Sequence, residues 1–344
     1  MKLFDALNNR AIGIDLGTAN ILVAVKGKGI VYREPSVVAI NQENHELVAY
    51  GNEAKEMLGK TPANIHAFKP LKDGVIADFT ATKLMLSNIV TKICKEYLIY
   101  RPKVVVGIPS GITEVEERAV EESVLSSGAK EVYLIEEPMA AAIGSGLEVG
   151  EPSGSMIVDI GGGTTEVAVI SLGGIVVSHS LRVAGDELDE DIVNYVKKEL
   201  NLAIGNTTAE QIKMQIGCAM PLMTDMPMEI RGRDLNDGLP KTLTVTSSQI
   251  EDAIKESVYK IVDIVKITLE KTPPELSSDI MEKGIILAGG GALIKNLDKL
   301  LSNETGMPVY VAEDPLDSVV RGTGKTLEDI ERLKSVLVNA RTRR

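Results

Sequence analysis

A short unit that occurs twice constrains the fold of this chain more than any other feature of its sequence. The first copy reads IGIDLGTANILVAVKG and the second reads VDIGGGTTEVAVIS. Each places an aspartate, Asp15 or Asp159, at the end of an apolar run, then a glycine turn, then another apolar run. Aligning the two aspartates also pairs Val23 with Val167. Because a repeated unit is typical of a duplicated architecture, the sequence predicts two related halves.

The residues after each glycine turn predict β-hairpins. In both copies the apolar run resumes within a few residues, as in two strands joined by a tight turn. A Rossmann or Walker loop would instead lead from its glycines into a helix. Elsewhere, short β-branched runs alternate with helical segments, two of which start with capping-box spacing, Thr113 with Glu116 and Ser248 with Glu251. This alternation indicates an α/β fold with largely buried sheets.

Two glycine hairpins that face each other, each preceded by an acid, are suited to bind a polyphosphate. Glycine lets the backbone approach an anion and point its N–H groups at it. Because Asp15 and Asp159 would repel phosphates unless a cation lay between them, the pattern predicts Mg²⁺ held through water. A single glycine turn is more often only a tight turn, but two matched copies favour a phosphate site. The N–H groups would come from Gly17, Thr18, Ala19 and Asn20 and from Gly161, Gly162, Gly163 and Thr164.

Composition limits the functional classes further. The 344 residues suffice for about two domains, and the net charge of −12 argues against nucleic acid as a partner. The C-terminal NARTRR could contact an acidic surface, although a frayed tail is the more ordinary interpretation. Cys94 and Cys218 form no disulfide framework, which fits a reducing cytoplasm. No apolar run reaches the roughly 18 residues of a membrane span, and the N-terminal run is too short for a signal peptide.

Five segments resemble, in the same order, the nucleotide-site segments of the superfamily of actin, sugar kinases and heat-shock chaperone ATPases. They are IGIDLGTAN, IEEPMAAAIG, VDIGGGTTEVAV, RVAGDELD and ILAGGGALI. The stretch GIDLGTANILVAVKGKGIVYREPSVVAI, with PLKDGVIADF and RGRDLNDGLPKT, is similar specifically to the MreB family of bacterial actins. The resemblance runs from about Ala11 to Lys334 and implies an α/β, actin-like (ribonuclease H-like) duplicated fold with two lobes around a nucleotide cleft.

The resemblance also implies four subdomains, a core and a small insertion in each lobe. The expected boundaries are 1–32, 75–144 and 317–344 for subdomain IA, 33–74 for IB, 145–180 and 247–316 for IIA, and 181–246 for IIB.

Carried over by matching positions, the resemblance implies roles for individual residues. Asp15 and Asp159 would hold the waters of Mg²⁺, and Glu137 would orient the attacking water with the help of Thr164. Glu137 has an alternative as a helix N-cap or first-turn acid that favours the helix dipole, although Glu136 could serve as the cap instead. The remaining contacts to ATP are expected from Gly185, Asp186, Glu210, Lys213, Gly289, Gly290, Gly291 and Ala292.

Glu210 and Lys213 also have an alternative that needs no ligand. Thr207 and Glu210 have capping-box spacing, and Glu210 and Lys213 could form a surface ion pair along one helix face. The resemblance instead places this helix against adenine and ribose.

One apolar cluster points to a membrane. EYLIYRPK places Leu98, Ile99 and Tyr100 beside Arg101 and Lys103. The resemblance implies that an apolar loop here enters the lipid, whereas the alternative is a helix end that packs on the next strand. A second apolar group near the N-terminus could help as a short amphipathic segment; its members are Leu3, Phe4 and Leu7.

The function implied by the resemblance is that of an ATP-dependent filament protein. Monomers would polymerise with one another, and slow hydrolysis of Mg-ATP would change filament stability. The filaments would lie at the cytoplasmic face of the cell membrane and, with membrane-bound cell-shape and wall-synthesis proteins, organise wall synthesis and maintain rod shape. A small-molecule kinase would need an acceptor pocket, and a chaperone ATPase would need a peptide-binding domain; neither is apparent from the sequence.

Overall fold

The structure, a computed structural model, describes residues 11–328, 330, 333 and 336–342. Two sheets, each containing one copy of the duplicated unit, form the centres of two lobes. The strands of the first sheet are β1 (Ala11–Leu16), β2 (Asn20–Val25), β3 (Gly29–Pro35), β9 (Lys103–Ile108), β10 (Glu131–Glu136) and β19 (Leu337–Thr342). The strands of the second are β11 (Ser155–Ile160), β12 (Thr165–Ser171), β13 (Gly174–Leu181), β17 (Ile285–Ala288) and β18 (Val309–Val311).

Three small sheets lie outside these two centres. Their strands are β4 (Val38–Asn41), β5 (Leu47–Tyr50) and β6 (Ile65–Phe68); β7 (Leu71–Lys72) and β8 (Val75–Ile76); and β14 (Leu202–Ala203), β15 (Pro227–Asp234) and β16 (Pro240–Thr246). They include most of the segments that the sequence suggested as insertions. The division into four subdomains stays a prediction.

The described helices connect and cover the sheets. They are α1 (Asn52–Met57), α2 (Phe79–Glu96), α3 (Glu114–Ser126), α4 (Glu137–Gly144), α5 (Gly185–Glu199), α6 (Asn206–Ile216), α7 (Ser247–Glu270), α8 (Pro274–Lys283), α9 (Leu297–Thr305) and α10 (Ser318–Glu328). Short 3₁₀ turns occur at Gly290–Leu293 and Pro315–Asp317.

Both copies of the duplicated unit form the predicted β-hairpins. β1 and β2 are antiparallel, as are β11 and β12, and the strand before each glycine turn pairs in parallel with a later strand, β9 or β17. The sheets run β19–β10–β9–β1–β2–β3 and β13–β12–β11–β17–β18. The predicted duplication is therefore present in the strand pairing as well as in the sequence.

Helices α4 and α10 pack between the two sheets and contact each other closely. A Cβ atom on Gly144 would lie 1.7 Å from the carbonyl oxygen of Ser318, and one on Gly322 would lie 1.8 Å from that of Ala140. Only glycine permits this approach without a shift of the backbone. The hydrophobic cluster around α4 includes buried residues from both sheets, such as Val105 and Ile157. This packing sets the position of α4, and Glu137 is its first residue.

Of the two capping boxes expected from spacing, the first is confirmed and the second is wrong. Thr113 and Glu116 exchange the expected hydrogen bonds at the start of α3. Helix α7 begins earlier than expected, with Thr246 as its N-cap residue. There the side chain of Asp225, from the preceding loop, accepts hydrogen bonds from the Ser247 hydroxyl and the Ser248 backbone N–H. The capping box itself is displaced by two residues, to Thr246 and Gln249, whose side-chain oxygen accepts a hydrogen bond from the Thr246 backbone N–H.

The interpretation of the C-terminal stretch as a frayed tail is also wrong for its described part. Residues Leu337–Thr342 form β19, which pairs antiparallel with β10 at the edge of the first sheet. Backbone hydrogen bonds to β10 explain why this polar, arginine-containing segment is extended, and β19 itself is the edge strand of the sheet.

Candidate functional site

The two hairpins meet at a cleft of about 320 Å³ between the lobes. Gly162 lies so close to the opposite hairpin that a Cβ atom there would be 2.7 Å from the Cβ of Ala19. Every residue predicted for the site lines this cleft, except Ala292, which is buried behind it. The lining members of that set are Asp15, Gly17, Thr18, Ala19, Asn20, Glu137, Asp159, Gly161, Gly162, Gly163, Thr164, Gly185, Asp186, Glu210, Lys213, Gly289, Gly290 and Gly291.

The turn between β7 and β8 completes the floor of the cleft beside both hairpins. The backbone N–H of Gly74 donates a hydrogen bond of 3.0 Å to the Thr18 hydroxyl. Gly74 also lies against the Thr164 side chain, since a Cβ atom there would be 2.9 Å from its methyl group. This small turn therefore contacts a hydroxyl-bearing residue from each half.

Asp15 and Asp159 have the electrostatics of a cation site. Burial, with smaller contributions from the nearby charges of Asp159 and Asp317, raises the pKa of Asp15 to about 8. Burial also raises the pKa of Asp159 to about 7. Enclosed carboxylates with such pKa values are costly to ionise without a positive partner. The pair therefore fits a divalent cation.

The same donor set indicates how a cation would be held. In the part of the chain that the structure describes, no group of three or more His, Cys, Asp or Glu side chains is arranged as a metal cluster. Mg²⁺ commonly uses one or two carboxylates and completes its shell with water and phosphate oxygens. The two aspartates are compatible with that coordination, and the Mg²⁺ site itself stays a prediction.

Glu137 faces the cleft from the start of α4. Burial raises its pKa well above the usual value, and the charges of Asp15, Glu166 and Asp159 add to this effect. The N-cap residue of α4 is Glu136, and no side-chain hydrogen bond caps the helix. The alternative of a side-chain cap therefore has no support from the described structure, although the position of Glu137 in the first turn still suits the helix dipole.

Both ligand-free alternatives for Glu210 and Lys213 are wrong. Helix α6 has Gly205 as its N-cap and no side-chain cap, so Thr207 and Glu210 form no capping box. Glu210 pairs instead with Lys55 of α1 at 2.7 Å. Lys213 pairs with a buried acid, Asp189, at 2.8 Å. Both partners come from other helices, which helical spacing cannot reveal.

Asp189 and three apolar side chains of the cleft were missed by the sequence reasoning. Burial raises the pKa of Asp189 to about 6, although the adjacent Lys213 opposes the shift. Met214, Leu293 and Leu316 line the same cleft with largely exposed side chains. Exposed apolar groups inside a polar cleft suit the flat face of a base. The only sequence signal was the closeness of Met214 to Lys213 and of Leu293 to the glycine run.

Ion pairs across the cleft involve two of the predicted nucleotide residues. Lys69 pairs with Asp186 at 2.8 Å, and Lys55 pairs with Glu210, so each lysine reaches an acid on a helix of the second lobe. All four side chains are partly exposed, which limits each pair to a small contribution to stability. The two pairs bridge the two sides of the cleft opening.

The enclosed acids predict how stability depends on pH in the protein without magnesium and nucleotide. Because the pKa values of Asp15 and Asp159 are near 8 and 7 when folded and near 3.8 when unfolded, the folded state binds more protons between about pH 4 and 8. The free energy of unfolding should therefore fall as pH rises from 6 to 8, by about 1–2 kcal/mol per pH unit.

Denaturant titrations across this range, with a chelator, would measure the dependence. Adding Mg²⁺ and nucleotide should flatten it, because the cation takes over the role of the bound protons. Stability that rises with pH in the chelated protein would contradict the assignment of these acids as enclosed and unpaired.

Comparisons with known proteins identify the family and the fold. A model of the MreB/Mbl protein family matches residues 9–335. The cell shape-determining protein Mbl of Bacillus subtilis strain 168 is 52% identical over 324 residues, covering 94% of this chain and 97% of that protein. The cell shape-determining protein MreB of Escherichia coli strain K12 is 53% identical over 336 residues, covering 96% and 97%.

Solved structures show the same fold. The crystal structure of MreB5 of Spiroplasma citri bound to ADP has a TM-score of 0.90 at 42% identity and covers 94% of this chain and 98% of that one. The structure of the same protein bound to AMPPNP has a TM-score of 0.88 at 41% identity, covering 94% and 97%. Across nearly its whole length, in sequence and in actin-like two-lobed α/β fold, this chain belongs to the MreB/Mbl family.

Proposed function

We propose that this chain is an ATP-dependent, membrane-associated, actin-like filament protein that organises cell-wall synthesis and maintains rod cell shape. The observation that carries the proposal is the meeting of both duplicated hairpins in one cleft, with Asp15, Asp159 and Glu137 facing it. Relatives named as cell shape-determining proteins support the cellular role, and the ADP and AMPPNP complexes of S. citri MreB5 support the ligand. No observation favours the alternative of a small-molecule kinase.

ATP binding would use the two halves of the cleft differently. The backbone N–H groups of both hairpins would hold the phosphates, while Lys213, Glu210 and the apolar side chain of Met214 would contact ribose and adenine. Asp15 and Asp159 would hold Mg²⁺, which supplies positive charge to the phosphate oxygens when bound. Lys213 is kept in place by its pair with Asp189 and by donating a hydrogen bond of 2.5 Å to the carbonyl oxygen of Gly185.

Hydrolysis would depend on Glu137 as the proton acceptor. A carboxylate that faces the γ-phosphate can accept a proton from a water molecule while that water attacks phosphorus. Burial and the neighbouring acids raise the pKa of Glu137, so its carboxylate is a stronger base than that of an exposed glutamate. The Thr164 hydroxyl would accept or donate a hydrogen bond to the same water. Slow turnover would then change filament stability after assembly.

The proposed membrane contact needs one correction from the structure. Leu98 and Tyr100 are 74% and 85% exposed, but Ile99 is only 6% exposed and belongs to the core of the first lobe. The backbone N–H of Ile99 donates to Cys94 at the end of α2, which turns its side chain inward. The apolar contact therefore consists of Leu98 and Tyr100. The other apolar group considered, Leu3, Phe4 and Leu7, lies outside the described residues.

Only part of the expected basic flank faces solvent freely. Arg101 is exposed, whereas Lys103 pairs with Glu131 at 2.8 Å. Every helix in the described ranges is too short or too polar to span a bilayer. A contact through two side chains would contribute roughly 1.5–3 kcal/mol per side chain, too little to hold a monomer, but a polymer would multiply it. Filaments at the cytoplasmic face of the membrane would then meet membrane-bound cell-shape and wall-synthesis proteins.

The experiment that tests the proposal is ATP-dependent pelleting and electron microscopy, with and without anionic lipid vesicles. We expect filaments to form with Mg-ATP. Filaments should float with the vesicles, whereas monomers should show almost no flotation. The double substitution Leu98→Ser and Tyr100→Ser should abolish flotation and leave polymerisation intact. Leu172→Ser, an equally exposed leucine in the turn after β12, is the matched control and should float like the unchanged protein.

Two outcomes would count against the proposal. A chain that binds Mg-ATP but stays monomeric at all concentrations would remove the filament role. Flotation of the double variant would place the membrane contact elsewhere in the chain. Ile99→Ser is unsuitable as a test, because it would destabilise the core.

A further inference from the structure

Glu166 is an enclosed acid that the proposed roles do not use. It lies in β12 directly opposite Asp159 of β11 and opposite Ser180 of β13, so the three side chains form a row across one face of the sheet. Its side chain is only 1% exposed. The Ser180 hydroxyl donates to Glu166 at 2.6 Å, and the backbone N–H of Ser110 donates to it at 3.3 Å. Since Ser110 follows β9, this second bond joins the two lobes.

The duplicated unit shows that the fold does not require an acid at this position. In the first copy, Asp15 lies opposite Leu22, which is the internal equivalent of Glu166 and is 4% exposed. Leucine can therefore occupy the equivalent position in the same kind of strand pairing. Burying a carboxylate costs free energy that burying a leucine does not. A functional role would explain why an acid is nevertheless present here. The difference between the two halves indicates a role in chemistry that only the second half performs.

Glu166 is connected to Glu137 by geometry and by charge. Strand β10 pairs in parallel with β9, with Glu136 next to Ile108, so Glu137 follows directly beside the end of β9. A Cβ atom on Gly107 would lie 3.5 Å from Cγ of Glu137, which shows how closely that side chain packs on β9. The bond from Ser110 to Glu166 holds the segment after β9 against the second lobe. The charge of Glu166 is also close enough to raise the pKa of Glu137.

We propose that Glu166 is a positioning residue for hydrolysis, which acts through Glu137 by fixing the end of β9 against the second-lobe hairpin. Its bond to Ser110 forms only when the lobes are close, so the carboxylate also links lobe closure to the placement of Glu137. Glu166 itself does not touch the nucleotide: it is absent from the lining of the cleft, within the residues described. This inference rests on the proposed hydrolysis of ATP.

The test uses Glu166→Leu, which copies the first half, and Glu166→Gln, which keeps the volume and removes the charge. Affinity for Mg-ATP should stay within about twofold, because no contact to the nucleotide is lost. The single-turnover hydrolysis rate should fall about tenfold or more, as misplacement of a reacting group implies. The thermal midpoint without nucleotide should stay or rise in Glu166→Gln, because an enclosed charge is removed.

The alternatives predict different combinations. A structural role would lower the thermal midpoint and the hydrolysis rate together, and a role in binding would lower affinity as much as rate; either result would overturn the proposal. An unchanged rate in Glu166→Gln would also overturn it, even if Glu166→Leu fails to fold. If the unchanged protein does not hydrolyse ATP, the proposed function fails first. If it hydrolyses and both variants match it, only the role of Glu166 fails.

Discussion

Replacing Glu137 with alanine is expected to slow phosphate release by about 10²-fold or more while ATP still binds, as loss of a positioned base implies. Glu137 lines the cleft at the start of α4, held there by the close packing of α4 on α10. Its carboxylate contributes negative charge beside the phosphates, so its removal should not weaken ATP binding. The measurement is single-turnover hydrolysis alongside a direct binding titration.

Controls for this prediction separate catalysis from effects on the helix. Glu137→Gln keeps the volume and removes the base, so it should be as slow as the alanine variant. Glu114→Ala removes an exposed first-turn acid from a different helix, α3, and should hydrolyse ATP at the normal rate. If Glu137→Ala hydrolyses ATP at the normal rate, Glu137 is not the catalytic base. Its remaining role would be to stabilise the start of α4 through the helix dipole.

Replacing Asp159 with alanine is expected to weaken the affinity for ATP about 10- to 100-fold in the presence of Mg²⁺. In a chelator the effect should reverse, with ATP bound as tightly as before or more tightly, because the carboxylate repels phosphate when no cation lies between them. A misfolded variant would bind ATP more weakly under both conditions. Opposite changes in affinity with Mg²⁺ and with a chelator would therefore be specific to a cation site. Titration of a fluorescent ATP analogue with and without Mg²⁺ would measure both.

The stability of the same variant provides the check on folding. Asp159 is enclosed and has a raised pKa, so its removal should not lower the stability of the chelated protein at neutral pH. Asp159→Asn keeps an oxygen that can bind a magnesium-coordinated water and should weaken Mg-ATP binding less. If the affinity for ATP depends on Mg²⁺ equally in Asp159→Ala and in the unchanged protein, Asp159 is not part of the metal site.

Local patterns were predicted correctly where a few adjacent residues contain the whole signal. The hairpins at Asp15 and Asp159 depend on alternation and turn residues within about fifteen positions, and both formed as predicted. The box at Thr113 formed because both partners lie in one helical turn. The box expected at Ser248 formed two residues earlier instead, at Thr246 and Gln249, because the helix begins at Ser247.

Errors arose where exposure or pairing depends on distant segments. Leu98, Ile99 and Tyr100 look equivalent in the sequence, but only the fold turns Ile99 inward. Lys213 pairs with Asp189, 24 positions away on another helix, and not with Glu210 on its own helix. Asp189 and Glu166 are among the enclosed acids that were missed, because burial is a property of the assembled lobes and cannot be read from neighbouring residues.

The sequence by itself determined the duplicated α/β architecture, because that follows from short-range patterns, and its resemblance to known proteins indicated the family and the set of residues that would face one cleft. Only the tertiary structure decided which acids are enclosed, which lysines pair with them, and that Glu166 bonds to Ser110 across the two lobes. The physical reason is that pKa values and ion pairs depend on solvent exclusion and on distances between segments. Those distances exist only after the two lobes have packed on α4 and α10.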